Sequence, residues 1–497
     1  MQPRAADLAD GNGAIWFGGL LAALAALLAV RLIALFYNGT DLFFDEAQYW
    51  SWSLEPAFGY YSKPPLIAWI IKGATEVCGI SEFCVRLPSP LIHSATALVI
   101  YAIGARLYDR RTGFWSALVF ATLPGVSLSA GIISTDVPLL FFWAVALYAF
   151  VRLIDTQAWW PALLMGLALG FGLNAKYAMI YIVLSAALYV ALVKEDRRLL
   201  RDPRIYVALA LGLLLIAPNL FWNARNSFAT FAHTADNANW TGPLFNPGKA
   251  LEFFGAQFGV FGPILFGSLL VIAARAWKQG LPKPDKLLLT FALPVIAIVT
   301  VQAFLSRAHA NWAAVSYVSA TVLVTATLIR ELSWRWLRAS MGLHVAIVIG
   351  IGLATAAAGS FRLPGGGDPF ARTLGWEALA QETSAVLSEA RQSGRPYGAV
   401  LTDDRAITAE LLYYMRNEPT PVFAWREQGR PRDHYELTRA YGQGSPEPVL
   451  LVSLRRGPGN IARSFAVAET LAKREIAAGA GPARQVVFYR LEGFRGE

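Results

Sequence analysis

The sequence predicts a polytopic α-helical membrane protein, with about 11 transmembrane helices and a small C-terminal α/β domain. Three observations carry that expectation. Apolar residues make up 55% of the 497 residues and charged ones only 15%, with a mean hydropathy of +0.43, a balance foreign to a soluble chain of this length. The apolar residues are gathered into runs about as long as a bilayer demands. The basic residues between those runs alternate in density from loop to loop, as the positive-inside rule requires of a chain that threads a membrane repeatedly.

Taken in order, the runs fall at about 14–37, 84–105, 113–132, 136–154, 159–174, 177–193, 205–222, 253–274, 287–305, 311–329 and 341–360. Before the first stands MQPRAADLADGNG, with one arginine against two aspartates, so an uncleaved membrane helix is expected rather than a secretory signal. Sixteen basic residues lie in the loops around 106–111, 152, 194–204, 275–286 and 330–338, which the rule assigns to the cytoplasm. The intervening loops hold six: Lys63, Lys72, Lys176, Arg225, Lys249 and Arg307. An odd number of crossings from a cytoplasmic N-terminus then sends everything after residue 360 to the outer face. The expected division is a membrane module over 1–361, with outer loops 38–81 and 223–252, followed by a soluble periplasmic domain over 362–497.

In that second domain, 364–367 reads as a linker. Strands are expected at 397–401, 421–425, 448–454 and 485–491, and helices at 370–392, 404–416 and 459–478, which together suggest a small α/β layer. Asp403, Asp404 and Arg405 stand where a strand ends and a helix begins, and capping is the simplest account of them. Cys78 and Cys84 are the two cysteines; a small disulfide on an oxidising side and a pair of buried thiols are both open readings.

The net charge of +9 is spent largely on orienting loops, so nucleic acid is not expected as a partner. No GxxxxGK[ST] or GxGxxG occurs, which gives no support to a nucleotide substrate. No internal repeat is visible, which weighs against a transporter of duplicated halves.

Polar residues beside membrane segments are costly and tend to mark functional sites. Here they gather in five loops of the expected outer face. The stretch NGTDLFFDEAQYWSWSLEPAFGYYSKPPL holds Asp45, Glu46 and Lys63 among aromatic residues suited to the lipid boundary, with Lys63 at the stiff corner made by Pro64 and Pro65. Asp136 opens a helix in STDVP, as a cap or as a site residue; Lys176 follows Asn174 in GLNAKYAM, as an interfacial lysine or a phosphate ligand. His233 and Asn237 lie in FAHTADNANW, and Arg307, His309 and Asn311 in SRAHANW. Tyr49, Tyr60 and Tyr61 could anchor the interface or stack on a sugar ring. Carboxylates facing several cations suit the transfer of a group from a lipid-borne phosphate: the cations hold the departing phosphate and a carboxylate takes an acceptor proton.

On FFDEAQYW, YYSKPPL and STDVP, backed by FAHTADNANW, residues 14–360 resemble the GT-C glycosyltransferases that use polyprenyl-phosphate sugars. The resemblance is to the branch containing the aminoarabinose transferase of lipid A and the dolichyl-phosphate-mannose protein mannosyltransferases. It implies Asp45 as the catalytic carboxylate with Glu46 beside it, Lys63 on the lipid phosphate, and Asp136 orienting the site or the acceptor. Two departures stand out: Ser62 replaces the glutamate that can bind metal with the histidine matched by His233, and Gln48 replaces an arginine. No cofactor is therefore firmly implied; a divalent metal, if any, would fall on His233 and Asp45. Arg307, His309 and Lys176 are candidates for further phosphate contacts, and Asn311 for the substrate.

The expected activity is an inverting glycosyltransferase of the bacterial inner membrane. It would move a sugar from an undecaprenyl phosphate donor to a lipid A or lipopolysaccharide-core acceptor at the periplasmic face, among membrane lipids. A protein or another envelope glycan as acceptor, and a transporter of a lipid or solute, are the competing expectations.

Overall fold

The computed structural model describes residues 12–240, 242–331, 333–362, 367–455 and 457–496. Most of the linker expected at 364–367 lies outside them. The chain divides into two compact units, the first built from residues 1–35, 63–67 and 86–352, the second from 36–62, 68–85 and 353–497. The membrane helices thus form one unit, while the first outer loop, apart from residues 63–67, groups with the C-terminal domain.

Among the described residues, six of the eleven apolar runs are helices long and apolar enough to cross a membrane: Gly13–Phe36, Glu82–Leu107, Asp136–Asp155, Pro203–Arg225, Lys283–Leu305 and Trp334–Ala356. Three more, Trp160–Ala175, Tyr177–Leu192 and Ser316–Arg330, are shorter apolar helices. The run expected at 253–274 is a pair, Pro247–Val260 and Pro263–Gln279, bent by 116°. The run at 113–132 breaks at Leu123 into Arg110–Thr122 and Pro124–Ser129. Proline opens the second member of each broken run, where it removes an amide donor that a continuous helix would use.

Within this first unit the basic loops are pinned to one another. Arg106 pairs with Asp155 at 2.7 Å, Lys283 with Asp196 at 2.8 Å, and Arg330 with Asp285 at 2.7 Å, while Tyr108 donates to Asp285 at 2.7 Å. The loops that carry the sixteen basic residues therefore share one end of the helices, as the charge alternation implies.

In the second unit a five-stranded sheet has the order β2-β1-β3-β5-β4, formed by β1 (Ala399–Thr402), β2 (Val422–Ala424), β3 (Val449–Ser453), β4 (Phe465–Ile476) and β5 (Arg484–Phe494). β1 runs parallel to β2 and β3; β5 pairs antiparallel with β3 and β4. Alternate residues feed opposite faces: Val400, Leu450, Val452 and Phe488 pack on one side, Leu401, Val449, Leu451 and Tyr489 on the other. The helices Trp376–Gln392 and Arg405–Tyr414 were legible in the sequence. The helix expected at 459–478 is instead a short 3-10 turn, Ile461–Ser464, followed by β4. Alanine, glutamate, lysine and arginine favour a helix locally, but pairing along β5 overrides that preference.

The first loop is woven into this unit. Its Phe44–Leu54 helix buries Trp50 and Trp52, with Trp50 edge-on to Tyr413 at 4.9 Å between ring centroids. Asp41 Oδ2 accepts the amides of Trp376 and Glu377 at 2.7 and 3.4 Å, so one segment caps the first turn of a helix far along the chain. Tyr414 Oη accepts from the Leu42 amide at 2.9 Å, and Tyr61 Oη donates to the Pro431 carbonyl at 2.6 Å. Cys78 and Cys84 are joined in a disulfide.

Candidate active site

In the first unit, four expected outer segments are tied together. Asp136 begins the Asp136–Asp155 helix, yet it does not cap it. Its two oxygens are taken by other loops: Lys176 Nζ donates to Oδ1 at 2.7 Å and Asn311 Nδ2 to Oδ2 at 2.6 Å. The pair is mostly withdrawn from solvent, with side-chain exposure of 20% for Lys176 and 12% for Asp136. Capping and interfacial snorkelling both fail as accounts of these residues, since each spends its charge on the other.

Tyr177, next to Lys176, extends the network. Its hydroxyl donates to Asn219 Oδ1 at 2.7 Å and accepts from Asn223 Nδ2 at 3.2 Å, and Asn223 Oδ1 accepts from the Thr230 amide at 3.1 Å. The Tyr177 ring stacks on Phe231 at 5.0 Å. These contacts fix the start of the Ala229–Ala238 helix, which carries His233 and Asn237; Asn237 Nδ2 lies 2.9 Å from His233 Nε2. At the far end of that helix, Gln302 Nε2 donates to the Ala238 and Arg307 carbonyls at 3.0 and 3.2 Å. Ser306 Oγ donates to the Asn239 carbonyl at 2.9 Å. The loop bearing Arg307 and His309 is thereby held against it, with the exposed His309 ring edge-on to Trp312 at 5.4 Å. Lys63 is half-buried ahead of Pro64 and Pro65, which lead into the Leu66–Cys78 helix.

In the second unit the acidic pair divides its duties. Glu46, 1% exposed, turns Oε2 back to accept the Phe43 amide at 2.9 Å, closing the first turn of the Phe44–Leu54 helix. Asp45 stays one-third exposed and accepts from Arg405 Nη1 at 3.0 Å through Oδ1. The aromatic residues read as sugar platforms are packed inside: Tyr49, Tyr60 and Tyr61 are 4%, 1% and 4% exposed. Tyr60 stacks on Trp52 at 4.6 Å and places its hydroxyl among the Trp52 and Glu55 carbonyls and the Ala57 amide, at 2.9 to 3.1 Å. Burial pushes that phenol up to about 12. The structure thus gives Glu46 and Tyr60 the work of shaping the loop that presents Asp45.

Arg405 is the residue that sequence reasoning set aside. Asp404 does cap the Arg405–Tyr414 helix, accepting the Ala406 amide at 2.8 Å. Arg405 instead reaches back 360 positions along the chain to Asp45.

The model of the dolichyl-phosphate-mannose-protein mannosyltransferase family matches residues 62–222. The lipid A galacturonosyltransferase RgtD of Rhizobium johnstonii is 37% identical over 420 residues, 84% of this chain and 87% of that protein. The crystal structure of ArnT from Cupriavidus metallidurans bound to undecaprenyl phosphate shares the fold at 14% identity, with a TM-score of 0.66, over 95% of this chain and 98% of that one. The chain belongs to the GT-C glycosyltransferases. It is a multi-pass membrane enzyme of that superfamily, a glycosyltransferase with a small sheet domain at its C-terminal end. A second relative, the lipopolysaccharide core galacturonosyltransferase RgtB of the same Rhizobium, is 30% identical over 301 residues, 57% of this chain and 59% of that protein.

The donor set does not fit the divalent metal weighed for His233 and Asp45. Among the described residues no group of three or more histidine, cysteine, aspartate or glutamate side chains is placed to hold one. Ser62 offers only a hydroxyl where a carboxylate is needed, and His233 Nε2 is engaged with Asn237.

Proposed function

We propose that this GT-C enzyme transfers a galacturonosyl unit from a polyprenyl phosphate donor to lipid A, at the periplasmic face of the bacterial inner membrane. The observation that carries the reading is the similarity to RgtD, which runs through both the helical part and the C-terminal domain. The fold shared with a protein crystallised with undecaprenyl phosphate supports the donor class. The alternation of basic loops supports an outer-face site.

Lys63, Lys176, Arg307 and His309 serve the donor phosphate. Asp136 sets the direction of Lys176 and Asn311, leaving the lysine two further N–H donors for a phosphate oxygen. His233 and Asn237 line the sugar or acceptor. In the transfer, an acceptor oxygen bonds to the anomeric carbon from the face opposite the phosphate, the carbon–oxygen bond to phosphate breaks, and the electron pair leaves with the phosphate. Where the acceptor is a hydroxyl, its proton passes to Asp45; where it is already an anionic phosphate oxygen, no proton moves and Asp45 acts through position and charge. Charge held close to the departing phosphate lowers the barrier because the negative charge grows there in the transition state.

Mass spectrometry of lipid A and core oligosaccharide from cells with and without the gene tests the proposal. Loss of one hexuronic acid from lipid A on deletion is the expected result. Loss from the core alone favours the activity named for RgtB, and unchanged lipid A and core together overturn both readings.

A further inference from the structure

The sheet order β2-β1-β3 means that the chain leaves β1 to one side for β2 and then crosses to the other side for β3. The carboxyl ends of β1 and β3 therefore flank a switch point, the place where open α/β sheets expose groups for ligands. Asp403, Asp404 and Arg405 follow β1 at that point, and Ser453 ends β3 beside them, its hydroxyl 2.8 Å from Asp403 Oδ2.

What occupies the position is part of the same unit. Arg405 Nη1 donates to Asp45 Oδ1 and to Gln48 Oε1, both at 3.0 Å. Its guanidinium lies 4.8 Å from the centroid of the Phe44 ring. The three contacts fall on residues 44, 45 and 48 of one helix face, so the cation is fixed in direction as well as in distance. Gln48 is 2% exposed and serves as a second acceptor for the same nitrogen. Asp45 Oδ2 carries no hydrogen bond among the described residues, and the carboxylate stays one-third exposed. One oxygen is anchored and the other is left for chemistry.

We infer that Arg405 is a positioning residue for transfer: the C-terminal domain supplies the cation that sets the direction of Asp45. This rests on the reading of Asp45 as the reacting carboxylate. The consequence is that the sheet domain acts on the reacting carboxylate through a single guanidinium.

Purified full-length Arg405→Ala, Arg405→Lys and Asp45→Asn, assayed with undecaprenyl-phosphate galacturonate and lipid A, test the inference. In Arg405→Ala, kcat is expected to fall about 10- to 100-fold with donor KM within about threefold, the scale of a misplaced catalytic group. Arg405→Lys recovers part of the rate, and added methylguanidinium raises the rate of Arg405→Ala while leaving Asp45→Asn inactive. A wild-type kcat in Arg405→Ala, a loss confined to KM, or a loss that neither lysine nor methylguanidinium relieves overturns it. Where Arg405→Ala does not fold, Arg405→Gln, which keeps a donor without the charge, carries the same comparison. An active Asp45→Asn defeats the underlying site assignment instead, so the two failures are distinguishable.

Discussion

The Asp136–Lys176 pair offers the most quantitative prediction. Lys176 Nζ sits 2.7 Å from Asp136 Oδ1 with both side chains mostly shielded. Replacing Asp136 with asparagine keeps the shape and an acceptor for Asn311, but leaves the ammonium shielded without its counter-charge. Breaking a fully buried pair in this way costs about 3–5 kcal/mol, and the residual exposure here reduces the figure to about 2–3 kcal/mol. Lys176→Met leaves the carboxylate with Asn311 as its remaining partner, at a cost of about 2 kcal/mol. The double variant removes both charges, so its cost is expected to fall about 2 kcal/mol short of the sum of the singles. Thermal unfolding of the four purified proteins in one detergent measures the cycle, and initial rates of sugar transfer measure the function. All three variants are expected to lose activity, including the double variant, which is expected to be about as stable as Asp136→Asn alone. Additive stability losses, or an active double variant, would refute the reasoning that the pair is a charge-compensated part of the site.

Two further predictions follow from the second unit. Tyr60→Phe strips the hydroxyl that satisfies the Ala57 amide and two carbonyls, so stability is expected to fall by about 1–3 kcal/mol, with activity lost in proportion to the unfolded fraction; a variant as stable as wild type counts against the framework role. His434, edge-on to both Trp52 and Tyr60, is pushed down by burial and by Arg439 from 6.5 to about 3. The unfolded chain therefore binds a proton below about pH 6.5 that the folded chain refuses, and stability drops as pH falls. Between pH 7 and pH 5 the drop amounts to about 2 kcal/mol. His434→Phe is expected to flatten that dependence in thermal melts; an unaltered slope would contradict it.

Much of the fold was readable because hydropathy and charge act locally. A run of apolar residues announces a helix whatever it packs against, and the positive loops announce which ends lie together. The helices were misjudged where proline breaks a run, at Pro124 and Pro263, because composition does not register a bend. β4 was misread for the opposite reason: its residues favour a helix, and only the ladder with β5 makes it a strand. The site shows the same division. Asp45, Asp136 and Lys63 announce themselves by charge beside apolar runs. The duties of Glu46 and Tyr60 depend on where one hydroxyl or one carboxylate oxygen points. Arg405 depends on a contact across 360 positions, and its local signal, a strand end and a capped helix, described its neighbour Asp404 correctly.

In the proposed reaction this chain consumes a polyprenyl-phosphate sugar with Asp45 as the reacting carboxylate. Purified enzyme incubated with undecaprenyl-phosphate galacturonate and lipid A is expected to release undecaprenyl phosphate in step with glycosylated lipid A, and Asp45→Asn, intact in the membrane, is expected to release none. Donor that stays intact with wild-type enzyme, or release that continues in Asp45→Asn, would contradict the account.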